Sequence, residues 1–268
     1  MARVTIPDLL QMKRDKKKVV MMTAYDYTTA GIIDRGGVEM ILVGDSGGRY
    51  LLGHQDNNWV TMDEMVLMTR AVSRGTKRAF VVGDMPFMTY QINKEEAIRN
   101  AARLIQEAGA QAAKLEVGAN HASTVEAIVK AGIPVMGHIG LTPMSTIGTG
   151  RRDRPPDADD AFIEEETVWR DARALIEAGA FSLLLTRVSP ELVGRMAQEL
   201  SVLTMVAGPG DGDGRLGVTP NTVGFTVAEL DQPRASYGPV AASLLDAVQK
   251  FSADVRAGKL TRSMLRPT

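Results

Sequence analysis

The chain of 268 residues contains no cysteine. That excludes disulfides, thiolate nucleophiles and cysteine-ligated zinc, so any nucleophile, base or metal ligand must be oxygen or nitrogen. It also lacks an excess of charge, with Lys+Arg 31 against Asp+Glu 32 and a formal net charge of -1. No overall field draws it to nucleic acid or an anionic membrane surface, and neither is expected as a partner. No apolar run reaches membrane-spanning length, and the N-terminal "MARVTIPDLLQMKRDKKKVV" lacks the apolar stretch and small-residue cleavage site of a secretory leader. A cytoplasmic location is the expectation. What is present is 44% hydrophobic content, ordinary for a soluble globular protein and enough for a sizeable core.

One junction recurs four times: a helical stretch closes on glycine and an apolar run follows at once. The copies are "RGGVEMILVGD" (35–45), "EAGAQAAKLEV" (107–117), "KAGIPVMGHIG" (130–140) and "EAGAFSLLLTR" (177–187). Glycine takes the left-handed conformation that ends a helix, and runs without polar alternation suit parallel strands buried on both faces. Residues 17–26, 78–84 and 200–208 add three strands of the same kind, and "VGFTVA" (223–228) is the expected eighth. The segments "TMDE" (61–64), "NKEE" (93–96) and "STVE" (123–126) read as capping boxes opening the intervening helices. This alternation predicts an α/β fold, a (β/α)8 TIM barrel, as a single domain over 1–268. The segment "GTGRRDRPPDADD" (148–160) reads as a polar loop after strand five and "GPGDGDGRLG" (208–217) as a glycine-rich loop after strand seven. The segment "SLLDAVQKFSADVRAG" reads as a C-terminal amphipathic helix that covers the barrel or forms an oligomer contact.

Such barrels carry their sites at the C-terminal strand ends. Strand two ends in Asp45, strand three in Asp84, strand four carries Lys114 and Glu116, strand five His138, and strand six ends in Thr186 and Arg187. Three carboxylates converging on one mouth, with no cysteine, suit Mg²⁺ held by one or two of them plus water and substrate oxygens. Each residue also has a plainer reading. A strand-end Asp caps the next helix. Lys114 faces the mouth or snorkels outward, and His138 serves chemistry or sits satisfied in the core. His54 and His121 read as loop or helix-cap residues. "GPGDGDG" misses both the P-loop lysine and the dinucleotide spacing, so a solvated loop fits it better than a phosphate cradle. The 15 methionines read as core fillers.

The stretches "TAYDY" (23–27), "LVGDS" (42–46), "GH" (53–54), "DMPFM" (84–88), "AAKLEVG" (112–118) and "PVMGHIGLTPMS" (134–145) resemble, in order and spacing, the ketopantoate (3-methyl-2-oxobutanoate) hydroxymethyltransferase family. The resemblance implies an enzyme with a barrel of the phosphoenolpyruvate mutase/isocitrate lyase type, in a homo-oligomer, often a decamer. It implies Mg²⁺ on Asp45 and Asp84 with Glu116 as an additional ligand, often through water. It implies a 2-oxo acid held by Asp45, Ser46, Asp84 and Lys114 with His138 lining the pocket, and 5,10-methylenetetrahydrofolate as one-carbon donor. The departures lie in the loops and at one strand end. Thr186 stands where the family has its catalytic glutamate, and a neutral hydroxyl is no base unless something activates it. "GDSLG" reads "GDSGG", Arg49 replaces an apolar residue, Trp59 replaces a proline, and "TGRRDRPP" and "AGPGDGDGR" replace two glycine-rich segments. Arg49, Arg151, Arg152 and Arg187 read either as solvated charge or as partners for an extra anionic group on an altered substrate. The expected activity is therefore an aldol-type hydroxymethyltransferase with an altered 2-oxo acid or related carbon acid. A retro-aldol lyase and a catalytically inactive binding homologue are the alternatives.

Overall fold

A computed structural model describes residues 2–142, 144 and 162–259. The chain divides into two compact units, Met1–Gly217 and Val218–Thr268. In the first, the elements run α1 (Ile6–Arg14), β1 (Val19–Thr23), α2 (Tyr27–Arg35), β2 (Met40–Val43), α3 (Gly47–Tyr50), α4 (Met62–Gly75), β3 (Phe80–Asp84) and α5 (Lys94–Gln106). They continue β4 (Ala112–Glu116), α6 (Ala122–Lys130), β5 (Val135–Gly140), α7 (Glu165–Glu177), β6 (Ser182–Thr186), α8 (Pro190–Glu199), β7 (Leu203–Ala207) and β8 (Gly214–Gly217). The strands pair in parallel, in sequence order, into a closed barrel.

The glycine junctions act as the sequence predicts: Gly37, Gly109, Gly132 and Gly179 take φ of 87°, 77°, 90° and 94°, conformations that cost a residue with a Cβ. Thr61 and Glu64 form a reciprocal capping box at α4, and the Asn93 side chain accepts from the Glu96 N–H at α5. The "STVE" expectation fails, because α6 already begins at Ala122 and Ser123 lies inside it.

Every second strand residue points inward and builds a plug. Met21, Met40, Leu42, Phe80, Val82, Ala112, Met136, Leu184, Leu203 and Met205 form one buried cluster. The alternate residues, among them Ile41, Val81, Leu115, Val135 and Leu183, pack outward in a second cluster with helix residues such as Met65, Leu104, Ile128 and Leu175. Methionines Met21, Met40, Met136 and Met205 fill the interior at 0% exposure.

The eighth strand is not at 223–228 but at Gly214–Gly217, inside the segment read as a loop. Its sequence, "GRLG", has no apolar run to betray it. A Cβ at Gly214 would collide with the Val19 carbonyl, so closure against β1 selects the small residue that hides the strand.

The second unit contains α9 (Thr219–Thr222), α10 (Ala228–Asp231) and α11 (Val240–Arg256). Along α11, Leu244, Val248, Phe251 and Val255 are exposed at helical spacing on one face.

Candidate active site

The plug sets the phase of the site. Two residues beyond Val82, Ala112, Met136 and Leu184 on the same inward face stand Asp84, Lys114, His138 and Thr186, because strand side chains alternate with a period of two. Glu116 follows two residues after Lys114 and is in register with His138. Asp45 lies just beyond β2, where its backbone N–H donates to Asp84 Oδ2 at 3.0 Å. The sequence-predicted mouth residues Asp45, Asp84, Lys114, Glu116 and His138 are thus brought together, all buried.

Their contacts are specific. Lys114 Nζ lies 2.8 Å from Asp84 Oδ1 and 3.8 Å from Glu116 Oε1, so it faces the mouth. Glu116 Oε2 accepts the Met144 N–H at 2.9 Å, and its Oε1 lies 3.3 Å from His138 Nδ1. His138 Nε2 lies 2.6 Å from Thr186 Oγ1. The Ser46 hydroxyl hydrogen-bonds the Tyr25 hydroxyl at 2.9 Å, and burial pushes that phenol up to about 12.

Three buried carboxylates against one ammonium leave an excess of negative charge, and burial and mutual repulsion push two of them, Asp45 and Asp84, upward. Burial, with Asp84 and Glu116 adding repulsion, pushes Asp45 up to about 8. Burial also raises Asp84, against the pull of Lys114. Burial opposes the Lys114 ammonium, yet the carboxylates of Asp84, Glu116 and Asp45 hold it above its ordinary value. Glu116 goes the other way: burial would raise it, but His138, Lys114 and the Met144 N–H bring it down to about 2.

The cluster's chemistry suits a cation. Asp45 Oδ2 is buried with no hydrogen-bond partner among the described residues, an arrangement that costs free energy unless a ligand completes it. Among the described residues no three His, Asp or Glu side chains form a ready-made ligand set. It is the unpartnered Asp45 Oδ2 beside Asp84 that fits Mg²⁺, which binds through one or two carboxylates and keeps water or substrate oxygens as its other ligands.

The remaining sequence candidates are placed differently. Ser46 is half-buried at the rim, Arg49 is exposed on α3, and Arg151 and Arg152 lie outside the described residues. Arg187 is half-buried with φ 56°. His54 pairs with Glu64 at 3.0 Å, and His121 precedes α6 without a side-chain cap bond. Asn57 was not anticipated: its amide donates to Asp45 Oδ1 at 3.2 Å. Tyr90 was also missed, and its hydroxyl donates to the Glu116 carbonyl at 2.9 Å. Asn57 opens a single 3-10 turn, Asn57–Trp59, and Tyr90 lies in a loop, both too short or irregular for periodicity to mark a side chain's direction. A cavity of about 290 Å³ opens beside Glu116, between Phe87, His121 and Thr142.

The first unit is a closed (β/α)8 barrel, and its fold is shared with members of the phosphoenolpyruvate mutase/isocitrate lyase superfamily. Among solved structures it is similar to 2,3-dimethylmalate lyase, a member of that superfamily, with TM-score 0.63, 18% identity, and coverage of 97% of this chain and 92% of the other. Phosphonopyruvate hydrolase, solved in complex with oxalate and Mg²⁺, matches with TM-score 0.61 and 16% identity over 99% of this chain and 92% of the other. The family model described as ketopantoate hydroxymethyltransferase matches residues 3–262. Relatives named 3-methyl-2-oxobutanoate hydroxymethyltransferase include one from Pelobacter propionicus, 43% identical over 96% of this chain and 94% of its own length. Another, from Ignicoccus hospitalis, is 42% identical over 97% of each chain. The chain belongs to the ketopantoate hydroxymethyltransferase family, a family of enzymes.

Proposed function

We propose that the chain is a Mg²⁺-dependent hydroxymethyltransferase acting through an enolate on a 2-oxo acid or related carbon acid, with a substrate altered from 3-methyl-2-oxobutanoate. The observation that carries this reading is the buried excess of carboxylate around Asp45, whose Oδ2 has no hydrogen-bond partner among the described residues. Asp45 and Asp84 would hold the ion directly. Glu116, with its oxygens turned to His138 and Met144, would reach it through water. Bound there, Mg²⁺ supplies Lewis-acid polarisation of the 2-oxo group.

The chain's own residues supply the rest. The Lys114 ammonium, fixed by Asp84, puts a positive charge where the enolate oxygen develops negative charge. The Met136, Leu184 and Met205 plug beneath excludes water and strengthens that interaction. Ser46 at the rim is a hydrogen-bond partner for the substrate carboxylate. Arg187 at the end of β6 suits an additional anionic group on the substrate, since a guanidinium pairs bidentately with carboxylate or phosphate.

The one-carbon donor in this reading is 5,10-methylenetetrahydrofolate. One observation favours a second reading, a retro-aldol lyase: β6 ends in the hydroxyl of Thr186 rather than a carboxylate, which suits a substrate that ionises readily. Incubation with Mg²⁺ and a panel of 2-oxo acids, with and without methylenetetrahydrofolate, separates the two. Folate consumption with a hydroxymethylated product supports the transferase. Aldehyde release without folate supports the lyase, and absence of both across the panel counts against either enzyme.

The exposed apolar face of α11 supports a homo-oligomer, with a decamer as the expected size. Light scattering tests this: Leu244→Asp with Phe251→Asp should yield a smaller species, and an unchanged mass would contradict it.

A further inference from the structure

The three carboxylates of the mouth share one pattern: each has one oxygen held by an N–H and the other left to the cluster. Asp84 Oδ2 accepts the Asp45 backbone N–H at 3.0 Å, while its Oδ1 lies 2.8 Å from Lys114 Nζ. Glu116 Oε2 accepts the Met144 N–H at 2.9 Å, while its Oε1 lies 3.3 Å from His138 Nδ1. Asp45 Oδ1 accepts the Asn57 amide at 3.2 Å, while its Oδ2 is buried with no hydrogen-bond partner among the described residues. Two of these restraints are backbone groups, and the one on Asp45 is a side chain. We infer that Asn57 determines metal selectivity: by leaving Asp45 a single oxygen to offer, it makes the site favour Mg²⁺ over Ca²⁺. The inference rests on the Mg²⁺ reading above.

Three observations carry it. The first is the direction of the amide. A carboxylate only accepts, so the Asn57 NH₂ group faces Asp45 and its carbonyl oxygen faces elsewhere. That Oδ1 is also buried without a hydrogen-bond partner among the described residues. An open buried acceptor is costly, and a water carried by the ion would donate to it. Mg²⁺ keeps several of its waters when it binds, so it suits an acceptor of this kind.

The second is charge. Mg²⁺ is small and requires near-octahedral geometry, whereas Ca²⁺ is larger and readily takes both oxygens of one carboxylate. The Asn57 N–H places partial positive charge at Asp45 Oδ1, which repels a cation that would span both oxygens. Asp45 is left to bind through Oδ2.

The third is construction. Asn57 is buried at 7% exposure and opens the 3-10 turn Asn57–Trp59. Asp56 accepts the Asn58 N–H at 2.7 Å, and the Asn57 carbonyl accepts the Val60 N–H at 3.1 Å, so the turn is tied on both sides of Asn57. Val60 packs directly on Gly48, where a Cβ would collide with Val60 Cγ2. The Gly48 N–H in turn donates to the Asp45 carbonyl at 2.9 Å. The turn carrying Asn57 is therefore docked on the turn carrying Asp45, which fixes the amide against the carboxylate.

The test is calorimetric titration of Mg²⁺ and, separately, of Ca²⁺ into full-length wild type, Asn57→Leu and Asn57→Gln, with melting temperatures measured in chelator. Asn57→Leu keeps the shape of the side chain and removes the donor. It should weaken Mg²⁺ binding about 10- to 100-fold, the usual loss when a metal ligand loses its outer partner. Ca²⁺ binding should weaken by no more than about threefold, because Ca²⁺ can use the freed oxygen. The preference for Mg²⁺ therefore shrinks, and Asn57→Gln, which retains the amide, should restore most of it. An unchanged preference in Asn57→Leu overturns the inference. Equal weakening toward both ions, with a lowered melting temperature and no rescue by glutamine, would make Asn57 structural and also overturn it. Wild type that prefers Ca²⁺ leaves a metal site but overturns the selectivity. Wild type that binds neither ion removes the metal reading itself, and the inference with it.

Discussion

The ends of β3 and β4 and the end of β6 occupy equivalent positions on one barrel, two residues above the same hydrophobic plug, yet they are built differently. Asp84, Lys114 and Glu116 are ionisable, buried and mutually bonded. Thr186 is a neutral, half-buried hydroxyl whose site interaction runs through His138. The first region is an electrostatic unit that must be kept together, because a lone buried charge is costly. The second is a single side chain on a positioned backbone, and it can vary at low cost to the fold. On the proposed reading, reaction type resides in β2 to β5 and choice of substrate in β6.

Substitutions should expose this asymmetry. Lys114→Met leaves Asp84 as an uncompensated buried carboxylate, and urea denaturation should register a loss of about 3–5 kcal/mol, the range for breaking one partner of a buried pair. A loss below about 1 kcal/mol would mean the cluster is not a unit. The same unit should be visible as a pH dependence. With Asp45 at about 8 in the folded, metal-free state, the folded protein holds a proton that the unfolded chain releases near its ordinary, lower value. Stability therefore falls as pH rises from that ordinary value through about 8. Asp45→Asn should flatten the fall, seen as the shift in melting temperature between pH 5.5 and 8 in chelator. A fall of the same size in the variant would contradict the assignment.

The β6 side should respond through backbone rather than charge. Gly140→Ala forces a Cβ against the Thr186 carbonyl at φ 95° and should cost about 1–3 kcal/mol in the same denaturation assay. Thr186→Val should change stability by no more than about 1 kcal/mol, the value of one hydrogen bond. Smallest of all is the change expected at Arg187, whose left-handed φ of 56° is one that glycine adopts freely in Arg187→Gly. Affinity for an anionic substrate should fall in that variant, and unchanged affinity would rule out a substrate contact at Arg187.

The same contrast explains what could be read from the chain alone. Strands β1 to β7 announce themselves through apolar runs, four of them directly after helix-ending glycines. The mouth residues then follow from a period of two, so Asp84, Lys114, Glu116 and His138 were legible. Strand β8 was not, because contact with Val19 demands Gly214 and removes the apolar signature. Asn57 reaches the site from a single 3-10 turn and Tyr90 from a loop, where side-chain direction depends on turns that no pattern encodes. Thr186 was legible as a departure at a strand end, but its hydrogen bond to His138 depends on the close approach of β5 and β6 at Gly140, visible only when the barrel closes.

The most direct measurement of the central claim is calorimetric titration of Mg²⁺ into the full-length protein, with and without a saturating 2-oxo acid. The account predicts that the acid tightens Mg²⁺ binding, that Mg²⁺ tightens acid binding by the same factor, and that Asp45→Ala with Asp84→Ala abolishes both. Mg²⁺ and acid affinities unchanged in that double variant would contradict it.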